Sequence, residues 1–471
     1  MVWSHLDIDQ QHINYLCISL TGIIFCLTAK FFKNSFYVGE ALFFTASGII
    51  LGPICLKWCD PFSWTTNVDK ISVELSRIIL CIQLFTSGLE LPSKYMQYNF
   101  KSVLLLLIPV MTAGWLIVGS FIYLLIPGFK YKHGLLVAGC ITATDPILCQ
   151  SIVSGKYSQK YVPERLRHLI TAESGVNDGL AFPFVYLSLF LIVLDNHKGE
   201  ILKEFFAVTI LYTCILGTVV GLVLGWGSSK LVELSSRHGL IDEQSVHIYY
   251  IFLSLLMAGM GSLLGMDELL ISFFGGCAFG WDGFYQKNVS SSASPLTDGI
   301  DYLLNILYFA YFGTIIPWQK YNNPDLYLSA WRLILIGVVV VFLRRLPVVF
   351  TIFKWIPAIK NLRESLFVGW FGPIGVGAVF TSLLAKDYLE KALEKDFIST
   401  NHANDIRLGI DTVWVLCSFI VVVSMIIHGF SVPAIMFSKY FRKQPDNIGT
   451  LNRSSCDISI LDKEEQTLEK S

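Results

Sequence analysis

Thr144-Asp145-Pro146 and Glu173-Ser174-Gly175-Val176-Asn177-Asp178 both lie inside apolar stretches long enough to cross a lipid bilayer. A carboxylate at membrane depth costs roughly 2.5–3.5 kcal/mol even on the lenient insertion scale. Asp145, Glu173 and Asp178 fall within 34 positions. A chain that keeps three such groups in apolar surroundings has a use for them. Proline at 146 removes a backbone donor and biases Asp145 away from helical geometry. The fifth apolar stretch is therefore expected to break near Asp145, exposing carbonyls and partial charges inside a bundle. Glu173 and Asn177, four apart, stack on one helical face, and Ser174 and Asp178 stack on the adjoining strip. Two polar strips side by side face a protein interior, not lipid. Carboxylate, hydroxyl and backbone carbonyl oxygens together suit a hard alkali cation.

Composition agrees with a membrane setting. The 471 residues are 54% hydrophobic, 14% aromatic and only 15% charged, with mean hydropathy +0.58. A soluble domain carries about 25% charged residues. The net charge of −1 offers no basic surface for nucleic acid. Eleven cysteines, with no Cys-x-x-Cys pair, read as small apolar residues in helices; Cys55 and Cys59, flanking a short loop, are the nearest thing to a bridge or metal site. No cofactor is implied. Residues 1–12 lack Lys and Arg, so the first apolar segment is expected to stay as a membrane helix, not to leave as a signal peptide.

A window of about 20 residues finds about thirteen spans. They run near 13–30, 36–54, 72–91, 102–127, 133–153, 166–194, 205–231, 247–265, 267–282, 300–317, 331–353, 364–385 and 411–435. The fifth, sixth, ninth and twelfth are weak, being rich in glycine or polar residues, and function is expected in them. The twelfth holds Gly369-Trp-Phe-Gly372-Pro373-Ile-Gly375-Val-Gly377, which cannot form a straight helix and is expected to be a second broken helix crossing the first. Glu40-Ala-Leu42 with Gly48 and Gly52 recurs as Glu268-Leu-Leu270 with Gly276 and Gly280, at identical offsets 228 positions on. That is the spacing of an inverted duplication. A mixed-charge loop is expected over about 386–410 and a disordered cytosolic tail over 436–471. Lys30, Lys33, Lys94, Lys101, Lys156, Lys160, Arg165, Arg167, Lys354, Lys360 and Arg363 then mark the cytosolic loops, with the N-terminus outside. The sequons at Asn288 and Asn452 fall on the cytosolic side.

Glu173 needs a partner if it is charged. Arg344-Arg345-Leu-Pro347 interrupts the eleventh span. An arginine from this pair, Arg344 being the favoured inner one, is expected to meet Glu173 with Asn177 as a neutral bridge; the rival reading makes both arginines interfacial anchors. Asp267 and Glu268 open the ninth span and Glu40 the second. As helix-start acids they suit the dipole, and they would also serve as an ion entrance. His428 reads as a packed polar residue.

Thr-Asp-Pro followed about 30 residues later by Glu-Ser-x-x-Asn-Asp resembles the cation/proton antiporter superfamily, and within it the fungal plasma-membrane Na⁺/H⁺ antiporters of the fission-yeast type. Further points of resemblance run through 1–435: Leu6-Asp-Ile-Asp9, Gly39-Glu40-Ala41, Leu51-Gly52-Pro53, Asp60-Pro-Phe-Ser-Trp64, Glu90-Leu-Pro92, Tyr311-Phe-Gly-Thr-Ile-Ile-Pro-Trp318, Arg344-Arg-Leu-Pro-Val348 and Phe371-Gly-Pro-Ile-Gly375. The resemblance implies an all-α membrane protein of thirteen helices, with inverted repeats and two crossing broken helices. It implies a core around 72–194 and 300–435 and a dimerisation scaffold around 13–54 and 205–282. It also implies a homodimer in the plasma membrane that exports Na⁺ and Li⁺ for protons and confers salt tolerance. The ion would sit at Asp178 with Asp145, assisted by Thr144 and Ser174, and Asn177 beside Asp178 matches the electroneutral branch. One departure matters: many relatives place an arginine in the Gly-rich stretch where this chain has Gly-Pro-Ile-Gly. A K⁺/H⁺ exchanger and a proton-uncoupled cation channel are the alternatives. An intramembrane protease lacks its Gly-x-Gly-Asp or His-Glu-x-x-His signature here.

Overall fold

The computed structural model describes residues 9–31, 39–146, 148–149, 162–195, 197–283, 290–394 and 400–442. The described residues are helical and contain no strand. We number the helices α1 (Gln10–Phe31), α2 (Glu40–Leu51), α3 (Val68–Glu90), α4 (Tyr95–Leu125), α5 (Tyr131–Cys140), α6 (Glu164–Val193), α7 (Lys198–Arg237), α8 (Glu243–Leu264), α9 (Glu268–Phe279), α10 (Ser290–Ile315), α11 (Ala330–Leu343), α12 (Leu362–Trp370), α13 (Val376–Leu393) and α14 (Thr400–Arg442). Among the described residues seven helices are long and apolar enough to span a membrane, and four more apolar helices are shorter. With the two interrupted segments, α5 and its continuation and α12–α13, these account for the thirteen expected spans.

Several boundaries move, each for a local reason. The fifth segment stops being helical at Cys140, five residues before Asp145, because side chains from other helices accept the role of capping its last carbonyls (below). The mixed-charge stretch expected as a loop over 386–410 is mostly helix: α13 runs to Leu393 and α14 begins at Thr400. Several of its charges are paired, Lys391 with Asp387 at 2.6 Å and Asp405 with Lys130 and Lys132. The Leu6–Asp9 motif apart from Asp9, Lys33, Lys156, Lys160, both sequon asparagines and the tail from 443 onward lie outside the described residues.

The duplication read from the sequence is visible in packing. α2 and α9, both 12 residues long, carry the repeated Glu and Gly positions. α2 packs against α10 and α9 packs against α3. These pairs exchange under a shift of seven spans, as an inverted repeat requires. Glycines make both contacts close. A Cβ on Gly48 would run into the Ala310 carbonyl, and one on Gly276 into the Phe85 carbonyl. Small residues that let backbones approach are the usual currency of helix association in lipid. α4, α5, α6, α11, α13 and α14 pack around one another and enclose the two breaks.

Candidate functional site

The two breaks cross at the centre of the bundle. After α5 the chain leaves the helix over Ile141-Thr-Ala-Thr-Asp145, then restarts at Pro146; after α12 it is irregular over 371–375 before α13. The two breaks touch directly: the Asp145 N–H donates to the Pro373 carbonyl at 2.8 Å. Proline at 146 and 373, with glycine at 372, 375 and 377, explains why helix fails in both places.

A crossing of this kind leaves two helix C-termini and two helix N-termini buried, each with unsatisfied backbone groups. One residue serves each pair. The Asp145 carboxylate accepts from Leu148 N–H at 2.9 Å, where the fifth segment restarts, and from Val376 N–H at the start of α13. The Arg344 guanidinium donates to the carbonyls of Ile141 and Ala143 behind α5, and to that of Gly372 behind α12. A negative charge at helix starts and a positive charge at helix ends also match the helix dipoles. Thr381 adds a bond to the Cys140 carbonyl at 3.1 Å, and Ser424 accepts from Ile374 N–H at 2.7 Å.

The α6 strips meet the first break. Asn177 accepts from Thr144 N–H at 3.1 Å and donates to the Thr144 hydroxyl at 2.6 Å and to Glu173 at 2.9 Å. Glu173 is held by Arg345, whose two terminal nitrogens donate to its two oxygens at 2.6 and 2.9 Å, while Nε donates to the Val368 carbonyl. The arginine pair thus divides its work. Arg345 is the partner of Glu173, and Arg344, favoured from the sequence, is drawn instead to the carbonyls of the breaks. Both are buried, so neither is an interfacial anchor. The helix explains the division: α11 ends at Leu343, and the bend at 344–345 sends successive side chains to different neighbours.

Asp178 stands apart. It is 1% exposed, and neither carboxylate oxygen has a hydrogen-bond partner. It faces α13, where a Cβ on Gly377 would strike its carboxylate; two residues earlier, a Cβ on Gly375 would strike that of Asp145. The two glycines therefore admit the two carboxylates to the start of α13. Ser174 is buried, but its hydroxyl turns back to the Thr171 carbonyl at 3.2 Å. Asp267 caps α9 through Leu269 and Leu270 N–H, both at 3.0 Å, and its other oxygen, unpartnered, lies beside Gly179 of α6. Glu268 pairs with Arg77 of α3 at 2.8 Å. His428 is buried in a small cavity with Arg344, Arg345 and Trp370. Sequence reading missed the Gly375/Gly377 pair as ligand-side glycines, the Arg344 bridge, and Arg77; only the alternation of glycine at 375 and 377 hinted at the first.

Two interrupted helices crossing beside an unpartnered buried carboxylate are the arrangement in which transporter ion sites are built. The sequence profile described as sodium/hydrogen exchanger, transmembrane, matches residues 17–438, and the chain belongs to that family. It is 44% identical to the Na⁺/H⁺ antiporter 2 of Zygosaccharomyces rouxii over 93% of this chain and 54% of that protein. It is 39% identical to the Na⁺/H⁺ antiporter of Schizosaccharomyces pombe, over 92% of each. The chain spans about half the length of several curated relatives it matches. The sodium proton antiporter MjNhaP1 of Methanocaldococcus jannaschii, solved at pH 8, superposes with TM-score 0.64 at 17% identity, covering 89% of this chain and 98% of that one. The fold is thus the cation/proton antiporter fold of a multi-pass membrane protein.

Proposed function

We propose that this protein exchanges Na⁺ or Li⁺ for H⁺ across the plasma membrane, using Asp178 as the carrier. The observation that carries the reading is a wholly buried carboxylate with both oxygens free, set at a crossing where every other charge is engaged. A lone buried charge is costly, so the site wants a proton or a cation, and one carboxylate holds one or the other. Thr144, Asp145 and the carbonyls of the breaks supply further oxygens of the type an alkali cation takes; Ser174 would join only by turning its hydroxyl. The names of the fungal relatives support sodium as the cargo.

Around the crossing Glu173 offsets Arg345, and Asp145 offsets Arg344. Asp178 is left as the single uncompensated charge, which favours one monovalent ion for one proton. Movement takes the form of the core rocking against a scaffold. The packing of α3 with α9 and of α10 with α2 supports these two helices, within the 72–194 and 300–435 read as core from the sequence, moving with the scaffold. The protein works as a homodimer, its C-terminus cytosolic and its N-terminus outside, and gives its cell tolerance to sodium. A second reading, K⁺/H⁺ exchange, differs only in which ion fits the oxygens.

The test is Na⁺-driven proton movement in proteoliposomes. Wild type should show it and Asp178→Asn should not; flux retained in Asp178→Asn would take the carrier role from Asp178. Rescue of a cell lacking its own sodium extrusion, challenged separately with Na⁺, Li⁺ and K⁺, ranks the ions.

A further inference from the structure

Asp178 and Gly377 touch across α6 and α13, and one helical turn beyond them lie Phe182 and Phe380. Both rings are buried, 3% and 0% exposed, and they meet edge to face with centroids 6.3 Å apart. A further turn on, Tyr186 stacks on Phe182 at 5.8 Å and meets Tyr388 edge to face at 6.0 Å. Beyond these is one mouth of the protein. There the end of α6 meets the start of α14 through His402 and the Val193 carbonyl, and Lys132 at the start of α5 pairs with Asp195.

The same wall is tied to α3. The Arg77 guanidinium lies over the Phe380 ring, 5.5 Å from its centroid, and is itself fixed by Glu268 of α9 and Glu74. Two turns nearer the surface, Lys386 of α13 pairs with Asp69 of α3 at 2.5 Å. Phe380 is thus held between Phe182 of the core and an anchored cation of the helix that packs with the scaffold. Between that mouth and Asp178 lie the Lys386–Asp69 and Arg77–Glu268 ion pairs and, innermost, two rings that offer a cation no oxygen.

We infer that Phe182 and Phe380 form the seal that isolates Asp178 from this mouth, and that the Asp69–Lys386 and Arg77–Phe380 contacts between α3 and α13 are the latch that holds it shut. In the orientation proposed above this is the extracellular mouth. Opening must part α3 from α13 and separate the rings. The inference deepens the carrier reading of Asp178 and rests on it. Coupling needs such a seal, because a site wetted from both mouths at once conducts protons without exchanging them.

The experiment uses proteoliposomes with an internal pH dye and an imposed pH gradient, with neither Na⁺ nor Li⁺ on either side. Phe380→Ala should collapse the gradient at least tenfold faster than wild type, and Phe380→Leu, which refills most of the volume, should stay near wild type. A Phe380→Ala protein that elutes and melts like wild type and still holds the gradient overturns the seal; if it fails to fold, Phe182→Ala is read in the same way. For the latch, Asp69→Cys/Lys386→Cys joined by a short reducible thiol cross-linker should lose Na⁺/H⁺ exchange and regain it on reduction, while the single-cysteine variants do not respond. Exchange at the uncross-linked rate in a fully joined protein overturns the latch. Asp178→Asn is assayed separately with Na⁺ present, so a failure of the carrier reading is seen independently of the leak.

Discussion

Arg345 and Glu173 face each other as a bidentate pair, 2.6 and 2.9 Å apart, within a bundle that buries both side chains. Asn177 joins the pair to Thr144, so the geometry of the first break depends on an arginine 172 residues downstream of Glu173.

Breaking that pair from one side strands the other charge, which costs about 3–5 kcal/mol in buried settings. Arg345→Met and Glu173→Met should therefore each lower the thermal midpoint strongly. The double variant removes both charges and should recover most of the loss. Thermal unfolding of the four proteins in one detergent measures this; single and double variants that melt alike would mean the pair contributes no coupling.

The carrier role proposed for Asp178 fixes the sign of the pH dependence. Protons and Na⁺ exclude each other, so acidification on the side where Na⁺ binds must weaken apparent Na⁺ affinity. Once the protonated form dominates, KM for Na⁺ should rise about tenfold per pH unit with the maximal rate unchanged. Initial rates over a grid of pH and Na⁺ test it. A maximal rate that falls with pH while KM stays constant would point to a separate proton site.

The charge count at the crossing leads to a second transport prediction. With Asp145 and Glu173 each offset by an arginine, the site moves from −1 to neutral whichever ion it takes. Each cycle then transfers no net charge. Exchange measured with the membrane potential clamped positive, zero or negative should run at one rate. A rate that follows the potential would show that a further group, such as Asp267 with its unpartnered oxygen, changes its protonation in the cycle.

How far the sequence reveals this arrangement depends on the kind of interaction. The breaks at Thr144-Asp145-Pro146 and Gly372-Pro373 are legible because proline and glycine act on the backbone locally. The stacked pairs on α6 are legible because helical spacing alone decides them. What Arg344 and Arg345 touch is not legible, because two adjacent residues point different ways only after the helix has ended, and that ending depends on contacts hundreds of residues away. The same holds for Phe380: an aromatic in an apolar helix looks like any other core residue until α3 brings Arg77 over it. The start of α14 was hidden for another reason, since charged residues at a helix end resemble a loop in any hydropathy window.

Glycine at 377 offers a way to separate carrier chemistry from stability. A Cβ placed there meets the tip of the Asp178 side chain and no backbone atom, and the backbone dihedrals are helical. Alanine also favours helix over glycine by up to about 1 kcal/mol. Gly377→Ala should therefore melt close to wild type yet lose most of its exchange, because the carboxylate can no longer lie against the break. Gly276→Ala is the contrasting case. Its Cβ meets the Phe85 carbonyl and Leu89 nitrogen of α3, which are backbone and cannot move independently. Overpacking of this kind costs about 1–3 kcal/mol, so Gly276→Ala should melt lower. Whatever protein remains folded should keep its apparent Na⁺ affinity, since α9 does not contact the crossing strands through this residue. Melting curves and Na⁺ titrations of the two variants in parallel decide the matter. Wild-type exchange in Gly377→Ala would show that Asp178 works without its place against α13.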